Sequence, residues 1–328
     1  MILSRTPATL LDEQAALLRA QLEGVYDGRI DAIHDARVAT RRIRELLSLA
    51  PSRGGQADDT DVPDTYREVG RALGKVRDID VQIGLIRDLE RHAPHTAPSL
   101  VLVRQEHERS RLAKMRRLIK TLERLDVEAM LRQTTVRHPA GRRSHLAARG
   151  WREHLRRLLV ERARTASERI SHATGVYFPN RAHNARIAIK KLRYAAEISL
   201  ETGTSELGKT IKVLRKGQEV LGALHDREVL ADTLARHSGH EHVDPEHLAL
   251  AEQVLNGEVV DLHARYLTRR GDLRDACMEI ERLGHRPSIA APVLAVGGGL
   301  LAAGLGYLKS RAPRRTDRVS EVPARIAG

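Results

Sequence analysis

Apolar positions recur every three to four residues along most of this chain, which is the spacing of amphipathic α-helices. No long run alternates apolar and polar residues in the way that a half-buried strand requires. Pro and Gly residues, which interrupt helices, fall between the periodic segments. The pattern predicts an all-α protein with helices at 8–26, 29–50, 61–92, 99–137, 144–173, 179–202, 205–238 and 245–284.

The eight predicted helices form two groups of four, and the groups are joined near residue 140. A chain of 328 residues is long enough for about two average domains. Helices of this length, joined by short breaks, pack as four-helix bundles. We therefore expect one bundle over 1–140, a second over 141–285, and a separate Gly/Ala-rich segment with a basic tail over 286–328.

A repeated motif relates the two groups of helices. HDARVATRRIREL at 34–46 and HNARIAIKKLRYA at 183–195 share five identical positions at an offset of 149 residues. Each copy is followed by a second matching piece, LGKVRDIDV at 73–81 and LGALHDREV at 221–229, at an offset of 148 residues. Two separate matches at nearly one offset indicate two copies of one helical unit, related by pseudo-two-fold symmetry.

Each motif copy places cations along one face of its helix. At about 100° per residue, His34, Arg37, Arg41 and Arg44 fall within roughly an 80° arc, as do His183, Arg186, Lys190 and Arg193. An apolar stripe lies beside each basic row: Ile33, Ala36, Ala39, Ile43, Leu46 and Leu47 in the first copy, and Ala185, Ala188, Ile189, Leu192, Ala195 and Ala196 in the second. We expect each helix to pack by its stripe and to present its cations to a ligand.

Other helices carry basic rows that could face the same groove. The helix predicted at 99–137 repeats the motif spacing, and the third helix of each half adds further cations. The predicted binding residues are His34, Arg37, Arg41, Arg42, Arg44, Arg71, Lys75, Arg104, His107, Arg111, Lys114, His183, Arg186, Lys190, Lys191, Arg193, Lys212 and Lys216.

Composition indicates a polyanionic partner. The chain has 56 Lys and Arg against 43 Asp and Glu, a net charge of +13 and a pI near 10.3. A strong positive field concentrates anions and speeds their capture. Aromatic residues make up only 2%, which disfavours single-stranded nucleic acid, since its bases usually stack on aromatic rings. Histidines in the basic rows are expected to add charge, and therefore affinity, as the pH falls toward 6.

The paired motifs, HDARVATRRIR with LGKVRDIDV and HNARIAIKKLR with LGALHDREV, resemble the conserved histidine α-helical domain (CHAD) family. The resemblance covers about residues 8–284. It implies two four-helix bundles and a basic channel that binds inorganic polyphosphate, in cytoplasm or at polyphosphate granules. Such domains often accompany a triphosphate tunnel domain, but the ExExK signature of that domain is absent. The chain therefore resembles a stand-alone member with a targeting or scaffolding role and no cofactor.

Nucleic-acid binding, metal binding and catalysis are the alternatives to this interpretation. Nonspecific binding to the phosphates of nucleic acid at low salt stays open, because a basic helical protein permits it. A zinc site would need three or four converging ligands; we interpret His237, His240, His242 and His247, with nearby Glu241 and Asp244, as a solvated loop and predict no metal ligand.

An enzyme is the least supported class, because the chain contains neither a P-loop nor a GxSxG motif. Four acids lie at equivalent places in the repeated pieces, and we interpret them as partners that orient arginines: Asp78, Asp80, Asp226 and Glu228. The single cysteine, Cys277, excludes an internal disulfide.

The last part of the chain contains an uncharged segment at 287–308, which is long enough to cross a bilayer if helical. Its Gly- and Ala-rich composition favours packing on a membrane surface, a granule or a partner over spanning. Residues 309–328 are predicted to be disordered. The first residues lack an apolar signal core, so a cytoplasmic location is expected.

Overall fold

The computed structural model describes residues 5–49, 61–137 and 145–285, and within these residues all regular structure is helical. The nine α-helices of this part of the chain are α1 (Pro7–Tyr26), α2 (Ile30–Leu47), α3 (Asp61–His92), α4 (Ala97–Arg124), α5 (Val127–Arg137), α6 (His145–His172), α7 (Pro179–Glu201), α8 (Gly208–His237) and α9 (Pro245–His285). A 3₁₀ turn at Pro94–Thr96 precedes α4. The prediction of an all-α fold is confirmed.

The apolar stripes of the two motif helices form the core, as their spacing predicts. In α2, Ile33, Ala36 and Ile43 have no exposed surface. In α7, Ile189 and Leu192 are equally buried. Several stripe positions are alanine, whose small side chain lets neighbouring helices approach closely. Burying one stripe of each helix leaves the adjacent basic row outside the core.

Helices α1 to α5 pack against one another and form the first half of the fold, while α6 to α9 form the second half. The halves meet where α2 contacts α7, α3 contacts α8 and α4 contacts α9. The main buried cluster runs through both halves without interruption. A second, smaller cluster also spans them, with Ile86 and Leu100 from the first half against Leu230 and Leu248 from the second.

The single helix predicted at 99–137 is wrong, because the chain turns between α4 and α5. Asp126 has a φ of +40°, and its Oδ1 accepts a hydrogen bond from the backbone N–H of Ala129 at 3.0 Å. This contact caps the start of α5, as Asp commonly does. The turn lets α5 fold back and bury Leu131, while Thr134 Oγ1 lies 2.9 Å from the Tyr66 hydroxyl.

Within the described ranges, no helix is both long enough and apolar enough to cross a membrane. The predictions for 287–308 and 309–328 fall outside the described residues.

Candidate functional site

The basic rows of α2 and α7 meet where the two halves of the fold join. Arg41 Nη1 donates a hydrogen bond to the Tyr194 hydroxyl at 2.8 Å, across the boundary between the halves. One residue further on, Arg42 donates to both carboxylate oxygens of Glu201, at 2.5 and 2.6 Å. These contacts hold the two motif helices side by side, so the basic row of each half faces that of the other.

Four cations of the repeated motif come together at this boundary: Arg37 and Arg41 from α2, and Arg186 and Lys190 from α7. We call them the junction cluster. Burial, followed by the charges of Arg41 and Arg186, lowers the pKa of Lys190 to about 8. The pKa of Arg186 is lowered by burial and by Arg41 and Arg37, although Asp226 opposes this effect. Like charges held together out of water repel, so a bound anion would relieve them.

Two glycines, one on α3 and one on α8, face the junction cluster. A Cβ atom on Gly74 would lie 3.6 Å from the guanidinium carbon of Arg37, and one on Gly222 would lie 3.9 Å from Arg186 Nε. Gly74 and Gly222 hold equivalent places in the two LG pieces of the repeat. The second repeated piece therefore supports the arginine of the first piece in both halves.

Carboxylates beside the cluster orient its arginines. Asp78 accepts a hydrogen bond from Arg37 Nη1 at 2.8 Å, and the equivalent Asp226 lies close enough to Arg186 to affect its pKa. The second acid of each repeated piece, Asp80 and Glu228, has a partner outside the cluster. Arg111 donates to the buried Asp80, and the Tyr177 hydroxyl donates to Glu228.

The acids Asp226 and Glu228 sit in surroundings that disfavour their charge. Burial raises the pKa of both, that of Glu228 to about 7, with Asp232 adding to the effect on Glu228.

The histidines of the repeat are mostly neutral in the free protein. Burial lowers the pKa of His34 and His183, and nearby arginines lower both further. The imidazole rings of His183 and His225 lie 4.6 Å apart, and burial together with Arg186 and His183 lowers the pKa of His225 to about 4. Histidine charge near pH 6 therefore contributes less than the sequence led us to expect.

A basic track continues from the junction cluster along the first half. Partial burial and the charges of Arg67, Arg41 and Arg71 lower the pKa of Arg44, although Glu45 opposes this effect. Beyond it, α3 and α4 enclose a groove of about 480 Å³ that we call the α3–α4 groove. Its cations are Arg67, Arg71, Lys75, Lys114 and Arg117, against the acids Asp64 and Glu68.

The second half carries its cations at different places. Glu219 and Ala223 stand where the first half has Arg71 and Lys75, while Lys212, Arg215 and Lys216 stand where it has Asp64, Arg67 and Glu68. Lys212 and Lys216 are exposed on α8, two turns and one turn before Glu219, and neither is among the charges that shift the pKa values of Arg186 or Lys190. The basic track is therefore asymmetric.

Two of the predicted binding residues have partners within the fold. Arg104 pairs with Glu90 and Glu108, and its pair with Glu90 ties α4 to α3. Arg111 donates to Asp80 and to the carbonyl oxygen of Gly28, so it holds α3, α4 and the α1–α2 turn together. A binding role for these two arginines stays a prediction.

Two residues of the second motif copy also form hydrogen bonds within the protein. Arg193 donates to Glu197 at 2.5 Å and to Gln218 at 2.9 Å, so its charge is largely compensated. Lys191 is exposed, and its carbonyl oxygen accepts a hydrogen bond from Arg162.

His107 lies on α4, apart from the junction cluster, with its ring 5.8 Å from that of His237.

Four residues of the site were not among the predicted binding residues. Arg67 and Arg117 line the α3–α4 groove, Tyr194 bonds Arg41, and Arg77 lies close to His34 and Asp226. Arg67 precedes Arg71 by one helical turn, and Arg117 follows Lys114 by three residues. Extending the basic rows by one turn would have found both.

Comparisons with known proteins agree with this architecture. The family model of the CHAD domain matches residues 9–235. The crystal structure of the CHAD domain from the plant Ricinus communis is similar with a TM-score of 0.55 and 23% identity, over 83% of this chain and 90% of that one. PptA from Streptomyces chartreusis is similar with a TM-score of 0.50 and 15% identity, over 84% of this chain and 98% of that one.

No curated protein sequence matches this chain significantly. At these identities the two solved structures are evidence for the fold alone, whereas the family model spans most of the described helices and both copies of the repeated motif. The chain belongs to the CHAD domain family.

Proposed function

We propose that this protein binds inorganic polyphosphate through the junction cluster and the α3–α4 groove. The observation that carries the proposal is the convergence of Arg37, Arg41, Arg186 and Lys190 from two copies of one motif. Burial, together with their mutual repulsion, lowers the pKa values of Arg186 and Lys190, and this concentration of charge is unfavourable unless an anion neutralises it.

The chemistry of polyphosphate fits such a surface. It is a flexible chain of phosphates with about one charge per unit and no bases to be read. Arginine offers forked donors to phosphate oxygens, and lysine offers a compact charge. Contacts of this kind release bound counterions, so affinity falls steeply with salt.

Nucleic acid fits the surface less well. Of the aromatic rings near the junction cluster, Tyr194 is buried and its hydroxyl accepts from Arg41. A ring held in this way offers no free face to a base, and single-stranded nucleic acid is usually bound by stacking. Duplex DNA therefore serves as the competitor in the test below.

The decisive experiment compares long-chain polyphosphate binding by tag-free wild-type protein and a variant with Arg37, Arg41, Arg186 and Lys190 changed to Ala. A control variant loses the same charge from exposed positions elsewhere: Arg109, Lys120, Arg132 and Arg265. We expect the first variant to lose most of the affinity. Its plot of log K against log salt should be shallower by about 3, since each lost phosphate contact removes about 0.7.

The control variant should keep most of the wild-type affinity. Equal losses in both variants would mean that general surface charge binds the polymer, and the site would be rejected. Displacement of polyphosphate by equimolar duplex DNA at moderate salt would favour nucleic acid instead. Circular dichroism must show that each variant is folded.

We further propose that binding serves targeting or scaffolding, with no hydrolysis. Asp78 is committed to Arg37, while Asp80 and Glu228 accept from Arg111 and Tyr177. Release of orthophosphate from polyphosphate by pure protein, lost in the four-residue variant, would contradict this part. Colocalisation of a fluorescent fusion with polyphosphate granules would support the targeting role.

A further inference from the structure

A group of potential metal ligands lies where α4 meets the end of α8, apart from the junction cluster. Glu106 comes from α4, His237 is the last residue of α8, and His240 follows in the next turn. The Nε2 atom of His237 and the Nδ1 atom of His240 lie 3.3 and 3.5 Å from the same oxygen, Glu106 Oε2. One ligand atom from each residue can be chosen so that all lie within 4.8 Å of one another.

These spacings are close to those around a bound zinc ion. Imidazole nitrogens and carboxylate oxygens lie about 2.0–2.2 Å from zinc, so two ligands of a tetrahedral site lie about 3.4 Å apart. The two measured distances to Glu106 Oε2, 3.3 and 3.5 Å, bracket that value.

The hydrogen bonds of His237 prepare it as a ligand. Its Nδ1 lies 2.7 Å from the carbonyl oxygen of Thr233, which can only accept, so Nδ1 carries the proton. The Nε2 lone pair then points toward Glu106, and this atom is buried without a hydrogen-bond partner. A carboxylate, a backbone carbonyl or a water in this position fixes the tautomer of metal-binding histidines. Two acceptors that face each other at 3.3 Å repel, and a metal ion between them would relieve this repulsion.

Space for a fourth ligand is present beside the group. Glu106, His107 and His237 line a cavity of about 380 Å³. The Nδ1 atom of His107 lies 2.9 Å from the carbonyl oxygen of Val103, so its Nε2 is also left as an acceptor. Three cations line the same cavity, Lys75, Lys114 and Arg236. Lys114 donates to Ser110 Oγ, and Arg236 Nε donates to the carbonyl oxygen of Asp232.

We propose that Glu106, His237 and His240 form a zinc site that links the two halves of the protein. Two imidazoles and one carboxylate suit zinc, whereas magnesium and calcium prefer oxygen ligands alone. The site lies beside the smaller core cluster, in which α3 and α4 pack against α8 and α9. The metal would therefore fasten the halves beside a cavity that Lys75 and Lys114 of the α3–α4 groove also line.

The sequence could not reveal this site because one ligand comes from a distant helix. In the sequence alone, the four histidines between 237 and 247 read as parts of one loop. The structure separates them: His242 is exposed, and His247 Nδ1 contacts Ser99 Oγ at 3.3 Å. Only His237 and His240 face Glu106.

The test is a zinc titration of tag-free, metal-stripped full-length protein against a chromophoric chelator, without polyphosphate, which binds metals itself. We expect one zinc per chain, and at least about tenfold weaker binding in Glu106→Gln and His237→Gln. The matched control is His242→Asn, which removes a neighbouring histidine and suits the φ of +68° at that position. It should bind within about twofold of wild type.

A second readout separates a link between the halves from adventitious binding. Zinc should raise the melting temperature of wild type and of His242→Asn, but not of Glu106→Gln. Glu106 is exposed and glutamine has its shape, so this variant should melt like metal-free wild type. Wild-type zinc affinity in both ligand variants, or no stoichiometric binding by wild type, would overturn the proposal.

Discussion

At the scale of single residues, Lys190 couples the candidate site to pH. Its folded-state pKa of about 8 lies below the ordinary 10.5. Between these values the unfolded chain holds a proton that the folded chain has released. The contribution of Lys190 to the free energy of unfolding therefore rises as the pH increases through this window. A phosphate bound nearby favours the charged amine, so binding near pH 8 takes up a proton.

This coupling predicts that wild-type affinity for polyphosphate falls by about fivefold to tenfold from pH 7 to pH 9 at constant salt, since one pKa unit corresponds to a factor of ten. In Lys190→Arg the fall should be less than about twofold, because arginine keeps its charge. Lys191→Arg alters the exposed neighbour and should retain the wild-type dependence. Isothermal titration in two buffers with different ionisation enthalpies would measure both affinity and proton uptake. An unchanged pH dependence in Lys190→Arg would contradict this role.

Individual site residues were predictable only where a pattern marked them. All four members of the junction cluster occupy the basic arcs of the repeat, and burial of the stripe beside each arc fixed the direction of their side chains. Arg104 and Arg111 show the same spacing, yet acids on α3 engage them. Which arginine meets an acid depends on the neighbouring helix, and helical spacing carries no information about that neighbour.

At the scale of helices, the approach of α1 to α2 positions the first basic row. A Cβ atom on Gly24 would lie 2.7 Å from the Cβ atom of Ala32, which cannot move without its backbone. By contrast, a Cβ atom on Gly84 of α3 would meet no atom within 4 Å.

We therefore expect Gly24→Ala to lower the free energy of unfolding by about 1–3 kcal/mol, the usual cost of overpacking. Gly84→Ala should raise it by about 0.5–1 kcal/mol, since alanine loses less backbone entropy in a helix. Urea unfolding followed by circular dichroism would measure both. If Gly24→Ala were as stable as wild type, the close packing of α1 on α2 would be disproved.

The sequence predicted most helix positions because strong periodicity and Pro or Gly breaks mark them. The turn between α4 and α5 escaped prediction because it contains neither residue. Asp126 adopts a positive φ there and caps α5 with its side chain. Burial of Leu131 and the contact between Tyr66 and Thr134 compensate for that strained turn, and both are tertiary effects.

At the scale of the whole molecule, the repeat indicated two related halves but not which surfaces would meet. Their contact through α2 and α7 joins two short basic rows into one site. That arrangement depends on pairs such as Arg42 with Glu201 and Arg162 with Glu45, which join residues far apart in the chain. Complementary pairs of this kind cannot be identified in a single sequence that contains 56 basic and 43 acidic residues.

The asymmetry of the basic track has a consequence for ligand size. A short oligophosphate can occupy the junction cluster alone, whereas only a longer polymer also reaches the α3–α4 groove. Changing Arg71 and Lys75 to Ala should weaken long-chain binding by about tenfold, from two exposed ion pairs, and leave tripolyphosphate binding within about twofold of wild type. Removing Arg109 and Lys120 instead should change neither affinity. Competition between polymers of defined length would measure this, and equal weakening for both ligands would refute it. A duplicated fold whose two halves place their cations differently would in this way act as a gauge of polymer length.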